Sequence, residues 1–255
     1  WLVQEYGTYQ SYVEAMQKQI DNMNNEIIIA EKSIDADKPD MKYVYDGSRN
    51  RTMRFLNYSV FVTLFAVLLG GWLMASEFQQ GTIRLLMIRP KTRTKILAAK
   101  FLSALMISLL VYAAGSLLNA ITNGICFGFS DYAFPNYTVS GETGFLAYYL
   151  PKMLACIVPI IFGYAIAFML SVLIKNVAVA IALPIAGYIG SFIVTEMIRY
   201  SNVGKWLTYT PLPYMQLSTY FTQSGTTQYF DIYSRGMTVN LTYGMILLAV
   251  LSAVF

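Results

Sequence analysis

The chain contains no histidine, which removes the commonest general base and metal ligand from any mechanism built on it. A Ser–His–Asp or Cys–His catalytic set therefore cannot be assembled. Only two cysteines are present, Cys126 and Cys156, and their spacing fits no metal site. Two free, buried thiols are favoured over a disulfide. Charge is scarce as well: 13% of residues are Asp, Glu, Lys or Arg, against roughly 25% in an ordinary soluble domain. No G-x-x-x-x-G-K-[ST] occurs, so nucleotide binding through a P-loop is excluded, and nothing calls for nucleic acid.

What is present is apolar and unevenly distributed. Apolar residues make up 56% of the chain, and several segments run for about 20 residues or more without a charge, five of them read as spans. A bilayer core of ~30 Å needs about that many residues at 1.5 Å each. The expected fold class is an all-α integral membrane protein, a polytopic helical bundle. Spans are expected near Phe55–Ala75, Ile96–Ile125, Phe145–Ile174, Val177–Ile198 and from Val239 onward. Lys175-Asn176 leaves only the shortest of turns between the third and fourth. Pro151 and Pro159 are expected to kink the third.

Ahead of the spans, Tyr6, Tyr9, Val13, Met16, Ile20, Met23, Ile27, Ala30 and Ile34 alternate in steps of three and four. This heptad predicts a helix with one apolar seam, outside the bilayer because its other faces are polar. Its partner is expected to be the segment after Asp46-Gly47-Ser48, folding back as a helical hairpin, or the same element of a second subunit. The domain division is thus 1–54, extracytoplasmic and helical, and 55–255, transmembrane. Ser48 is placed to cap a helix through Arg49, Arg51 and Arg54, with the three arginines at headgroup level. Gly70-Gly71 permit close helix approach, and Ala178, Ala182, Ala186 and Gly190 form a small-residue stripe suited to tight packing.

Orientation follows from charge. Arg84, Arg89, Lys91, Arg93 and Lys95 crowd the loop after the first visible span, whereas Phe127–Gly144 has no base and two acids. The positive-inside bias puts Ser76–Lys95 and Lys175 in the cytoplasm and the heptad region outside. A cytoplasmic N-terminus then requires one more span before Trp1, making about six, five of them visible. The span interiors are read as free of acids and bases, with Glu196 paired to Arg199 at an outer helix end. That disfavours an ion-coupled carrier, which needs a titratable group at depth. Work done by such a protein must draw its energy from another chain.

Ser76–Arg93 is the stretch placed to receive it. Ser76 and Gln79 fit a capping box, Glu77 suits a first helical turn, Pro90 stops the helix, and Arg84 and Arg89 point to the cytosol. Glu77-x-x-x-Gly81-Thr82, followed by Leu85-Leu86, Pro90, Arg93 and Lys100, resembles the pattern of type-2 ABC exporter permeases. The resemblance implies a coupling helix over 76–90 that docks into a cytoplasmic ABC ATPase subunit. Glu77, Phe78, Gly81, Thr82 and Arg84 would touch that subunit, and Arg93 would support the following turn. It further implies a non-catalytic transport subunit in the bacterial cell membrane, paired with a second permease, identical or not. ATP and Mg would be bound by the partner ATPase and no cofactor by this chain. An amphiphilic cargo is expected (lipid, peptide, glycan or drug). The long heptad insertion departs from simpler members of that family. A membrane sensor or scaffold with an extracytoplasmic arm, an ion-coupled secondary transporter and, more remotely, an intramembrane enzyme are the rival readings.

Overall fold

The computed structural model of the chain describes residues 9–39, 47–81, 93–138, 141–200, 209–222, 225–226, 229–232 and 237–254. Within them the architecture is helical: α1 Tyr9–Asp35, α2 Ser48–Phe55, α3 Ser59–Gln80, α4 Arg93–Phe127, α5 Phe145–Ile174, α6 Val177–Tyr200 and α7 Leu241–Val254. Three two-stranded antiparallel hairpins (Asn136–Thr138 with Gly141–Thr143, Phe221–Thr222 with Gly225–Thr226, Tyr229–Ile232 with Met237–Asn240) occur in the connections. Four helical stretches are long and apolar enough to cross a membrane: Ser48–Gln80, Lys95–Phe127, Phe145–Ile174 and Val177–Val194. The chain is a multi-helix membrane protein. In α7 the apolar stretch, Tyr243–Ala253, is shorter.

The first long stretch begins with a cap brought from far along the chain. Ser48 is the first helical residue, not the cap, and Asp131 accepts from its backbone N–H at 2.9 Å and from its hydroxyl at 3.3 Å. A carboxylate at a helix start satisfies orphan donors and meets the positive end of the dipole. Thr52 and the Tyr132 hydroxyl share a hydrogen bond of 2.7 Å, and Tyr132 donates to Ala120 O, so α2 and the Ser130–Ala133 turn are tied to α4. Asp131→Ala should cost about 1 kcal/mol, the usual worth of an N-cap, and Asp131→Asn much less. Thermal unfolding in detergent is the check; equal loss in both variants contradicts the capping role.

Arg49 departs from expectation. It is 1% exposed rather than lying at headgroup level, donates to Phe134 O, and stands 5.7 Å from the centre of the Phe145 ring. Arg51 stacks over Phe127 at 4.2 Å.

The bundle is organised around α5, which packs against α3, α4, α6 and α7. Its buried positions, from Phe145 and Tyr148 through Ile160 to Ser171, recur every three or four residues. Among membrane helices the apolar surround offers little hydrophobic drive, so close packing and hydrogen bonds between helices weigh more. Buried tyrosines supply them. Tyr112 of α4 donates to Met153 O, Tyr149 of α5 to Ser116 O, and Tyr164 to Phe101 O at 2.9 Å. Each hydroxyl finds a carbonyl on the neighbouring helix, as a buried polar tip must.

Gly70 and Gly71 lie at the tightest crossings. A Cβ on Gly70 would stand 3.0 Å from Tyr164 O, and one on Gly71 2.8 Å from Ile181 Cγ1 and 2.9 Å from Ala180 O. The stripe on α6, however, faces the other way. Ala178, Ala182 and Ala186 are exposed, and Gly190 is half-buried with nothing near its missing Cβ. Ala180, Pro184, Tyr188 and Ser191 face inward instead.

Two further expectations are corrected here. The heptad does form the long helix α1, but no described part of this chain covers its seam, which stays open to the same element of a second subunit: Tyr9, Val13, Ile20, Met23, Ile27 and Ile34 are all exposed. The segment from Ser48 packs on α4 rather than along α1, which touches the bundle at the first hairpin. Residues 40–46 and Tyr6 lie outside the described residues. Both cysteines are free, but Cys126 is exposed and only Cys156 is buried.

The span interiors are not free of charge. Lys152 lies within α5 and is 4% exposed; Lys100 lies in the second turn of α4. Glu196 and Arg199 fall in α6, their side chains outside the described set.

Candidate functional site

The end of the bundle that carries Glu77 is built by three elements. Helix α3 does not restart at Ser76. It runs unbroken from Ser59 to Gln80, and the Ser76 hydroxyl bonds back to Leu73 O at 3.3 Å. The capping box therefore does not form, because a helix already in progress leaves no orphan N–H for Ser76 to satisfy. Gly81 terminates α3 instead, in the left-handed region at φ 71°, with its N–H 3.4 Å from Phe78 O. Glycine suits that position because a Cβ there is strained.

Glu77 turns sideways. Its carboxylate pairs with the Lys100 ammonium on α4, each side chain less than a quarter exposed. Phe78, one residue on, lies under Lys175, whose Nζ is 5.2 Å from the ring centre. Lys175 takes a left-handed backbone at φ 56° and closes α5, while the Asn176 carboxamide oxygen caps α6 by accepting from Ala178 and Val179 N–H. The two-residue connection is thus a C-cap joined directly to an N-cap. One turn inward, the Ser171 hydroxyl accepts from Ala75 N–H at 2.7 Å and Met74 N–H at 3.2 Å.

Together these contacts fasten the last two turns of α3 to α4 through Glu77, and to the α5–α6 connection through Phe78 and Ser171. The arrangement contains no nucleophile–base pair, and no group of acids or cysteines able to hold a metal occurs among the described residues. What the contacts do is join the end of α3 to α4, to α5 and to the α5–α6 connection.

Of the residues singled out from the sequence, Glu77, Phe78 and Gly81 come together here with Lys100 and Lys175. Thr82, Arg84, Arg89 and Pro90 lie outside the described residues, and Arg93 is placed only as the first residue of α4. Ser171 was not foreseen; a lone serine in an apolar run carries no signal of the helix it will face. The charged groups Arg49 and Asp131 and the first hairpin stand at the opposite end of the bundle from Glu77, since they flank the start of Ser48–Gln80 and the end of Arg93–Phe127.

The chain belongs to a family described as protein of unknown function, DUF2705, whose profile matches residues 22–255. It is similar to the uncharacterized protein YhcI of Bacillus subtilis (strain 168), 26% identical over 207 residues. That match covers 78% of this chain and 62% of the relative, so the chain spans less than two thirds of the relative's length. No solved structure matches.

Proposed function

We propose that the chain is the membrane-spanning permease subunit of an ATP-driven exporter of the type-2 ABC class. It moves an amphiphilic substrate (lipid, peptide, glycan or drug), and a separate ATPase subunit hydrolyses the ATP. Two permeases and two ATPase subunits form the working unit in a bacterial cell membrane. The Glu77 end is cytoplasmic, the segment from Ser76 to Pro90 is the coupling element, and α1 projects on the outside.

The observation that carries this reading is the clamp at Glu77, Phe78 and Ser171. The resemblance to the ATPase-docking motif begins at Glu77, and the end of α3 that carries Glu77 is fastened to α4, to α5 and to the α5–α6 connection. ATP-driven closure of the partner would pull on that segment and tilt the helices together. The packed and hydrogen-bonded contacts at this end of the bundle support that reading.

A second reading draws on α1. An exposed apolar seam on a helix outside the spans suits a sensor or scaffold arm that meets another protein. Deleting Tyr6–Ile34 separates the two: a transporter keeps its ATPase complex without the arm, whereas a sensor loses its response.

The test of the leading reading is co-purification of the full chain with candidate ATPase subunits encoded beside it, followed by ATP turnover. Gly81→Trp should eliminate the complex. No described atom lies within 4 Å of the position a Cβ would take at Gly81, so the strain of a side chain there comes from the left-handed backbone. Gly81→Asn is the backbone control, because asparagine tolerates the left-handed region. Complex formation unchanged in Gly81→Trp sinks the coupling assignment.

A further inference from the structure

Helix α1 keeps its apolar alternation of three and four for nearly four heptads, from Tyr9 to Ile34. Six of the seam residues stand exposed, and the other two, Met16 and Ala30, are half-buried. The period says more than the apolarity does. A 3.5-residue repeat holds one narrow line of side chains together only when the helix winds around another of the same period. Sustained over three to four heptads, it specifies a coiled-coil partner. In heptad terms Val13, Ile20, Ile27 and Ile34 are the a positions, and Tyr9, Met16, Met23 and Ala30 the d positions.

The lipid surface is a competing occupant, and charge argues against it. A helix that lies in the interface carries Lys and Arg on its polar face. Tyr9–Asp35 has five acids and two bases, and the e and g positions that flank the seam hold no base at all. An anionic bilayer would repel such a face. Nor do the flanks select for an unlike chain. Glu26 and Glu31 are the two charges among them, where partner choice would call for a pattern of charges to match.

Size and charge also set how two copies fit. Parallel and in register, each seam residue stacks on its own copy. Ala30 then faces Ala30 and leaves a gap, and Glu26 of each chain lies beside Glu31 of the other. Antiparallel, with the twofold between Ile20 and Met23, every a position meets a d position. Tyr9 is matched with Ile34 of the second copy, Val13 with Ala30, Met16 with Ile27 and Ile20 with Met23. Each layer occurs twice, as an isologous contact requires. Both glutamates face glutamines (Glu26 with Gln19, Glu31 with Gln10), so no like charges meet.

We propose that α1 pairs antiparallel with α1 of a second copy of this chain, in a coiled coil centred between Ile20 and Met23. Two copies inserted the same way share a twofold along the membrane normal, so the paired helices lie across that axis. The contact uses neither the ATPase nor the segment beyond Gly81, and its failure leaves the transporter reading standing.

The experiment reconstitutes the full chain alone in vesicles of phosphatidylcholine and phosphatidylglycerol. Cys126→Ser is present throughout, because Cys126 is exposed whereas Cys156 is buried. Two differently tagged copies are combined, one Val13→Cys and the other Ala30→Cys, and mild oxidation is followed by the shift to dimer mass. The mixed disulfide should dominate, and either variant alone should stay uncrosslinked, since like positions lie about 25 Å apart along an antiparallel pair. Ile20→Glu in both copies should cut the cross-linked fraction at least about tenfold, because it buries charge in the two central layers. Position 20 is exposed in the single chain, so folding is not at stake. Asn22→Glu, off the seam, should leave the yield unchanged. Like-position crosslinks in place of the mixed one overturn the antiparallel pairing. Equal yields with and without Ile20→Glu overturn the coiled coil. A chain that stays monomeric and uncrosslinked overturns the second copy as occupant. Quenching of a fluorophore on Ile27→Cys by nitroxide-labelled lipid would then assign the seam to the bilayer, and absence of quenching to a different protein.

Discussion

Gly71→Leu should prevent the bundle from assembling in a stable form, at a cost of about 3 kcal/mol or more, the upper part of the range for overpacking. The reason lies in two residues on different helices. Pro184, inside α6, has no N–H to give to the carbonyl four residues earlier, Ala180 O. In a membrane bundle such a freed carbonyl must be approached by a neighbour. Gly71 makes that approach possible: its missing Cβ would sit 2.9 Å from Ala180 O and 3.1 Å from the carbonyl carbon. The obstacle is helix backbone, which cannot swing aside as a side chain would, so even Gly71→Ala forces α3 and α6 apart. Close Cα–H···O contact is the weak attraction lost, worth perhaps 0.5–1 kcal/mol, and steric displacement is the larger part. Gly190→Leu provides the contrast. Nothing lies near its Cβ position, so the single chain should keep its thermal midpoint. Comparable midpoints for Gly71→Leu and wild type in detergent would falsify the crossing as described.

The same pair of helices shows what could be read from the sequence. Charge-free runs marked the spans because a bilayer demands length and apolarity of any sequence, and the heptad marked α1 because period alone is local information. The Lys175-Asn176 turn was legible for a similar reason: two polar residues between two long apolar runs leave no other place for the chain to reverse. Which face of α6 turns inward was not legible. Ala178, Ala182, Ala186 and Gly190 on one side, and Ala180, Pro184, Tyr188 and Ser191 on the other, are both small enough to pack. The choice was made by Gly71 on a helix more than 100 residues away in sequence.

Long-range partners account for the other misses. Asp131 caps a helix 83 residues before it, and no spacing rule reaches that far. Arg49 was expected at the surface because arginine usually is; a carbonyl at Phe134 and the ring of Phe145 make its burial tolerable. Lys152 stands in the sequence of the third span and contradicts its reading as charge-free, although the run around it is apolar enough to cross a membrane. Ser76 and Gln79 match a capping box letter for letter, yet the apolar run before them was already helical. At the candidate site, Glu77, Phe78 and Gly81 were found as residues, whereas their partners Ser171 and Lys175 and the sideways direction of Glu77 belong to the tertiary packing.

That direction leads to the second large effect. If the chain is the permease proposed above, Glu77→Lys should lower its affinity for the ATPase subunit by more than about 100-fold, roughly 2.7 kcal/mol, because it replaces a charge-assisted bond across two helices by a like-charge contact. The two side chains are mostly shielded from solvent, so salt screens their interaction less than it would a surface pair. The resemblance assigns Glu77 to the partner surface, whereas the structure engages its carboxylate with Lys100. The charge-swapped double variant, Glu77→Lys with Lys100→Glu, distinguishes these. If the carboxylate acts by fixing the end of α3 against α4, the swap restores the pair with its polarity reversed and recovers affinity to within about tenfold. If Glu77 itself met the partner, the swap would recover the thermal midpoint and leave binding lost. We expect recovery of both, since the last turn of α3 is also held by Phe78 beneath Lys175 and by Ser171, and needs only its third fastening returned. A rigid end is what a coupling segment requires, and the identity of the charges that make it rigid is secondary to their pairing.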